Sequence, residues 1–348
     1  LNSLETTFIS SIGSYVDEFE HRISEFTGSK YTIATVNGTS ALHVALILAG
    51  VLSDDEIITQ SLSFVATGNA ISYCGADPIF VDVELETLGM SPETLETYLD
   101  ENTELRDDGN CWNLANNRIV RACVPVHDLG HPVRIKEIAE ICNKYNIVLI
   151  EDAAESLGSF RGDVHTGRTG SMGILSFNGN KIITTGGGGM ILTNDSELAI
   201  HAKHITTTAR LSNSLTFEHD EIGYNYRLPN LNAALGVAQM EMLESYVENK
   251  RSTARKYQDW GNHHGMHFMT EPKDTRSNYW LNIAVTENQE QRNYMIEFTN
   301  KNNIMTRPVW TPMHKLAINN DCQINNMKNT EWLFDRLVSV PSSVVMHE

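Results

Sequence analysis

The chain has 348 residues, 41% hydrophobic and 20% charged, with a formal net charge of −18. That size permits a substantial core and more than one domain. The acidity argues against broad nucleic-acid binding while leaving room for a locally basic site. No apolar run reaches the length of a membrane span, the longest (Ala41 to Leu52) being interrupted by His43. Leu1-Asn-Ser-Leu-Glu lacks the basic and apolar regions of a signal peptide, and the abrupt ends suggest trimmed termini. Five cysteines without a CxxC pair read as reduced thiols of a cytosolic protein.

In chain order, residues 17–26 have helical apolar spacing with Gly28 as a stop. Tyr31 to Val36 reads as a strand, and Asn37-Gly-Thr-Ser opens an apolar helix from Ala41 to about Val51. Strands at Glu56 to Thr59 and Pro78 to Val83 alternate with a helix at Ala66 to Tyr73. Ser91 and Pro92 form the N-cap and first turn of the next helix. Arg106 to Asn117, polar and Asn-rich, reads as an exposed loop. Ile119 to Val126 returns as strand, Val133 to Tyr145 as helix, and Ile147 to Ile150 as strand. This alternation predicts an α/β fold, a mostly parallel sheet with helices on both faces. Ile174 to Phe177 and Gly189 to Leu192 add short strands, and Asn230 to about Lys256 reads as one long helix leaving the large domain. A strand (Ser277 to Val285), a helix (Gln289 to Asn302) and a strand (Ile304 to Arg307) suit a smaller C-terminal domain. The division expected is 1–229 and 230–348.

The residues that carry chemistry cluster at the ends of these elements. Glu151 and Asp152 close an apolar strand, where open α/β sheets hold ligands. Lys181 lies among small and polar residues, between Asn178-Gly-Asn180 and Thr184-Thr-Gly-Gly-Gly-Gly189. Such a glycine run admits a flat ligand beside the backbone. An amine and a carboxylate converging there suit pyridoxal 5'-phosphate, with the lysine forming a Schiff base and the carboxylate partnering the pyridinium nitrogen. Taken alone, Asp152 could equally cap the next turn. The Gly38-Thr39-Ser40 turn could receive a phosphate at a helix N-terminus or be an ordinary N-cap. Phe64 is core or stacks on a ring. His127 and His131 lack a third ligand at metal-binding spacing, so a structural role is expected for His127. His201, His204, His263 and His264 read as surface.

Assembled, these segments resemble the DegT/DnrJ/StrS sugar aminotransferases, fold-type-I pyridoxal-phosphate enzymes. The resemblance rests on Gly38-Thr-Ser-Ala-Leu-His43, Ser63-Phe-Val-Ala-Thr67, Ala76-Asp-Pro-Ile-Phe-Val-Asp82, Glu151-Asp-Ala-Ala-Glu155, Ser176-Phe-Asn-Gly-Asn-Lys181 and Gly223-Tyr-Asn-Tyr-Arg-Leu-Pro-Asn230. It implies a large domain with a seven-stranded, mostly parallel sheet and a smaller C-terminal α/β domain. It makes Lys181 the Schiff-base lysine and Asp152 the partner of the ring nitrogen. Glu155 stands near the ring hydroxyl, where many members have Gln. Thr39, Ser40 and Ser176 would hold the phosphate, and Phe64 would stack on the ring. Asn225 would reach the partner subunit's phosphate, implying a homodimer with shared sites. Gly187 stands where many relatives have Glu.

Within the family, Ser176 to Lys181 with the glycine run is similar to the branch aminating C4 of a UDP-linked 4-keto-6-deoxy-N-acetylhexosamine, as in legionaminic acid pathways. GDP-perosamine synthases are the rival. L-Glutamate would be the amino donor, and the amino sugar would serve surface-glycan or nonulosonic acid synthesis. Arg227, Arg307 and His314 are candidates for gripping the donor carboxylate or nucleotide phosphates, with surface charge as the alternative. A dehydratase on this fold is disfavoured because relatives with that activity carry histidine in place of the lysine. A non-catalytic sensor is disfavoured by the Lys181/Asp152 pair.

Overall fold

A computed structural model describes residues 10, 13–211 and 216–345. Seven strands form the central sheet: β1 (Tyr31–Thr35), β2 (Glu56–Gln60), β3 (Asp77–Val81), β4 (Val120–Val124), β5 (Val148–Asp152), β6 (Met172–Ser176) and β7 (Gly189–Thr193). Their spatial order is β1-β7-β6-β5-β4-β2-β3. Strands β6, β5, β4, β2 and β3 are mutually parallel, and β7 runs antiparallel to both β1 and β6. Six strands therefore point one way, and their carboxyl ends share one rim with the start of β7.

The apolar content of each segment decides its layer. Helix α1 (Ser14–Thr27) buries Val16, Phe19 and Ile23 on one stripe and ends at Gly28 in the left-handed region, as its spacing predicts. Helix α2 (Gly38–Leu48) is apolar almost all round and is buried from Ser40 to Leu46, so it runs through the core rather than over it. Helix α3 (Ala66–Tyr73) packs beside it. Ser91 caps α4 (Pro92–Asn102), its hydroxyl accepting from the Thr94 amide at 3.2 Å. Helices α5 (Ile135–Lys144) and α6 (Ser196–Thr206) complete this part.

Four expectations are corrected. Arg106 to Asn117 is not simply an exposed loop: residues 111–113 pair with 103–105, and Asn113 is buried. The reason is Glu56, a buried carboxylate on β2 that needs donors; Asn113 Nδ2 (2.7 Å) and Asn116 Nδ2 (2.6 Å) supply them. The long helix is two helices, α7 (Asn230–Met240) and α8 (Leu243–His264), the chain tightening where Met242 N bonds Gln239 O. The strand at Ser277 to Val285 shrinks to β9 (Asn282–Val285), because Tyr279 has φ +47 and Ser277 and Asn278 turn inward to hydrogen-bond the large domain. The last strand is only Arg307–Pro308, preceded by Asn303 at φ +60.

The smaller sheet comprises β8 (His267–Phe268), β9, β10 (Arg307–Pro308) and β11 (Leu337–Val340), in the order β8-β9-β11-β10. Helix α9 (Gln289–Lys301) follows β9, and α10 (Lys328–Phe334) precedes β11. Ile283, Leu337 and Val309 from this part pack in one cluster with Leu175, Phe177 and Leu228. Trp280 and Trp310 are thereby carried to the rim of the large sheet. No described helix is long and apolar enough to cross a membrane.

Candidate active site

A cavity of about 310 Å³ opens at the carboxyl rim of the large sheet, between the two parts of the chain. Strands β1, β2, β4, β5 and β6 end beside it. Asn37, Gly38 and Thr39 come from the β1–α2 turn, Phe64 and Thr67 from β2–α3, Asp152 and Glu155 from the end of β5 and its loop, and Ser176 and Lys181 from β6 and its loop.

Adjacent residues on a strand face opposite ways, and this separates the two carboxylates that close β5. Asp152 lines the cavity; its Oδ2 accepts from Thr67 Oγ1 at 2.8 Å and its Oδ1 from the Ala154 amide at 3.1 Å. Glu151, on the other face, is fully buried and accepts from His127 Nε2 (2.9 Å) and from the amides of Gly167 (2.9 Å), Thr169 (2.5 Å) and Gly170 (2.8 Å). Burial opposes its charge, but His127 and these amides outweigh burial and hold its carboxyl below the usual range. His127 in turn accepts the Val133 amide on Nδ1 (3.2 Å), which fixes the ring and gives it a structural role.

Lys181 is mostly covered. Its Nζ lies 3.4 Å from Glu155 Oε1 and 4.1 Å from the centre of the Trp280 ring. The indole Nε1 of Trp280 donates to Asn180 O at 2.7 Å, pinning the loop that carries the lysine. Trp280 stacks on Trp310 (5.9 Å, 11° between planes), and Trp310 meets the edge of Phe64 at 6.4 Å. This aromatic wall is the part that sequence reasoning missed. Both tryptophans come from beyond residue 229, and their only sequence signal is two indoles in a chain with five.

At the opposite end, Asn37 caps α2 by accepting from the Ser40 amide at 2.7 Å, and the first intrahelical bond is Ala41 N to Asn37 O. The amides of Gly38 and Thr39 precede that bond, as an anion site at a helix N-terminus requires. Ser176 stands beside them, paired across the sheet with Gly189. Ser40, buried with its amide engaged, does not line the cavity.

A Cβ on Gly189 would strike the Asn37 carbonyl, so this glycine is required by close approach. On Gly187 a Cβ would meet nothing closer than Val36 O at 3.9 Å, so a β-carbon is accommodated there without a clash. Gly189→Ala is expected to cost about 1–3 kcal/mol and to weaken cofactor retention, and Gly187→Ala to be near neutral. Melting temperatures and cofactor titrations of the two variants check this contrast.

The remaining candidates lie apart from the cavity. Asn225 is exposed and accepts from Arg227 Nη2 at 3.0 Å. Arg307 is exposed. His314 is tied to Ser61, with Nδ1 2.6 Å from the hydroxyl and the His314 amide donating to it at 3.0 Å; burial lowers its pKa. Exposed His201 lies 3.0 Å from Glu221, half-buried His204 lies 2.6 Å from Asp220, and all five cysteines are free.

The model of the DegT/DnrJ/EryC1/StrS aminotransferase family matches residues 1–348. The chain belongs to this family. EpsN of Bacillus subtilis, provisionally named a pyridoxal phosphate-dependent aminotransferase, is 36% identical over 99% of this chain and 87% of its own length. GDP-perosamine synthase of Escherichia coli O157:H7 is 36% identical over 90% of this chain and 81% of its own. A DegT/DnrJ/EryC1/StrS aminotransferase from Brucella abortus superposes with a TM-score of 0.90 at 25% identity, covering 100% of this chain and 90% of that one. The aminotransferase described here is thus a pyridoxal-phosphate enzyme of fold type I, and its cavity fits that cofactor. It offers an amine, a carboxylate across from it, a helix N-terminus for a phosphate, and a flat aromatic wall.

Proposed function

We propose that this aminotransferase moves the amino group of L-glutamate to the C4 ketone of a nucleotide-linked 4-keto-6-deoxy sugar, a UDP-linked 2-acetamido-2,6-dideoxy-4-keto-hexose. The carrying observation is the convergence of Lys181, Asp152 and the Gly38–Ser176 corner on one cavity. The product is a 4-amino sugar for surface-glycan or nonulosonic acid synthesis, made in the cytoplasm.

Bound in this cavity, pyridoxal phosphate supplies an electron sink for the carbon that loses its proton. Lys181 is the base that carries that proton, and Trp280 and Trp310 keep water from it. Asp152, fixed by Thr67 and Ala154, would partner the ring nitrogen. Thr39 and Ser176 would hold the phosphate, and Ser40, its amide bonded to Asn37, would keep the turn in shape. Phe64 would cover the ring and Glu155 would serve its hydroxyl. Asn225, exposed in one chain, reaches the phosphate of a second copy in a homodimer. Exposed Arg307 and half-buried Arg227 serve the donor carboxylate or the nucleotide phosphates. His314, committed to Ser61, is the weakest of the three candidates for that role. Residues 1–229 form the cofactor domain and 230–348 the smaller one that brings the tryptophans.

A GDP-linked 4-keto-6-deoxy sugar is the second reading. It is favoured by GDP-perosamine synthases 36% and 33% identical over 90% of this chain.

The test is the visible spectrum of the purified protein with pyridoxal phosphate, before and after L-glutamate. The expected result is a band that bleaches with glutamate and returns with the correct keto-sugar nucleotide. Return with the GDP-linked sugar alone would select the second reading. A band indifferent to glutamate would remove the donor assignment.

A further inference from the structure

The buried stripe of α8 holds one charged residue. Leu243, Val247, Lys250, Ala254 and Gly261 are its buried positions, and Lys250 is 6% exposed. An amine there loses its water, and burial accordingly lowers the pKa of Lys250 to about 8. Among the described residues no neighbouring charge offsets this. Its bonds go to two main-chain carbonyls: Nζ donates to Trp280 O at 3.0 Å and to Ser342 O. An apolar side chain would fill the stripe without the cost of burying an amine. What lysine adds is its grip on those carbonyls.

The grip leads to the cavity. The Trp280 amide donates to Asn278 Oδ1 at 2.8 Å, and Asn278 donates in turn to Glu155 O and Leu157 O of the large domain, at 2.9 Å each. The Trp280 indole donates to Asn180 O, and its ring centre lies 4.1 Å from Lys181 Nζ. Glu155 Oε1 stands 3.4 Å from the same amine. Two sides of Lys181 are thus taken, and the cavity is the side left for approach.

We propose that Lys250 is a positioning residue for Lys181: by holding the Trp280 carbonyl it seats the indole over the lysine amine and directs that amine into the cavity. The large domain fixes the Trp280 peptide at its amide, and α8 fixes it at its carbonyl. With the second hold gone, a small rotation about the first swings the indole off the amine. A purely structural Lys250 would serve only to brace the segment at Ser342. That segment has other holds: the Ser342 hydroxyl accepts from Asn282 N at 2.7 Å and donates to Val340 O at 2.8 Å, and Asn249 Nδ2 donates to Val345 O at 2.9 Å. Trp280 is the partner that depends on the lysine. The effect of this seating on turnover rests on the proposed reading of the cavity as a pyridoxal-phosphate site; the covering of the amine does not.

The test is the acetylation rate of each lysine in the full chain without cofactor, read by mass spectrometry. The proteins compared are the parent, Lys250→Met, Trp280→Leu and the double variant. Methionine keeps an unbranched stem and removes the donor. A covered contact between a cation and a ring is worth about five- to thirtyfold in an equilibrium, so Lys181 should react about fivefold faster or more in either single variant. The remaining lysines should react at the parent's rates. The double variant should match Trp280→Leu alone, because Lys250 acts through the ring. Lys250→Gln, with an N–H donor on a shorter arm, should lie between the parent and Lys250→Met, and it serves in its place should that variant not fold. Unchanged Lys181 reactivity in the Lys250 variants, a rise shared by all lysines, or a further gain in the double variant would overturn the proposal. With pyridoxal phosphate bound, the rate at which glutamate bleaches the visible band should fall in Lys250→Met more than glutamate affinity does. A loss confined to affinity would overturn the directing role. Absence of a visible band in a parent whose lysines follow the expected pattern would instead overturn the reading of the site and leave the seating of Trp280 standing.

Discussion

Lys181→Ala is expected to lower turnover by at least about 10³-fold, because on the proposed reading the variant would lose both its covalent anchor and its proton carrier. The fold should survive. Lys181 sits in a loop at the mouth of the cavity and contributes no backbone pairing to the sheet. What it does stabilise is Glu155, whose buried carboxyl is raised by burial and drawn down by the lysine charge. Without Lys181 the folded pKa of Glu155 climbs further. A raised folded pKa gives stability that is complete at low pH and lost as pH rises. The variant should therefore match the parent's melting temperature near pH 5 and fall behind towards pH 8. Measured steady-state activity within tenfold of the parent would remove Lys181 from the centre of the chemistry.

Glu151→Ala should be the most damaging single change to stability. It would strand His127 Nε2 and the amides of Gly167, Thr169 and Gly170 in a buried site. Each unsatisfied buried donor costs about 1–3 kcal/mol, so a total of about 5 kcal/mol or more is expected. That is comparable with the whole stability of an ordinary domain, and soluble yield should collapse. Glu151→Gln, which keeps one acceptor oxygen, should fall between the two. Since the folded pKa of Glu151 is lowered, its contribution is present above about pH 4.5 and lost as pH falls below it. Thermal melts of the parent and Glu151→Gln should therefore diverge at neutral pH and converge in acid. A Glu151→Ala protein melting within a few degrees of the parent would show that the turn at 167–170 holds itself.

These two neighbours illustrate how far the chain could be read directly. The acidic pair closing β5 was visible as a feature, and strand alternation requires its members to face opposite ways. Alternation fixes relative orientation only. Which carboxylate meets the cavity depends on what packs on each face: α3, bringing Thr67, on one side, and the 167–170 turn on the other. The helix cap at Ser91 and the stop at Gly28 were legible because capping is a local interaction between residues close in sequence, whereas the cap expected among Thr39 and Ser40 falls at Asn37. The strand expected at Ser277 to Val285 failed for the opposite reason. Its first half is β-rich in composition, but Ser277 and Asn278 are recruited by Gly130, Glu155 and Leu157, more than a hundred residues away in the chain.

The sequence by itself determined the chemistry on offer: a sheltered lysine after one strand, a carboxylate after another, and a glycine run that lets backbone approach. Each depends on residue type and short spacing. Only the tertiary structure decided that Trp280 and Trp310 wall the lysine and that Glu151 leaves the site to brace a turn. Those outcomes are set by contacts between distant segments, whose energies depend on what else is buried nearby and on which charges burial leaves unpaired.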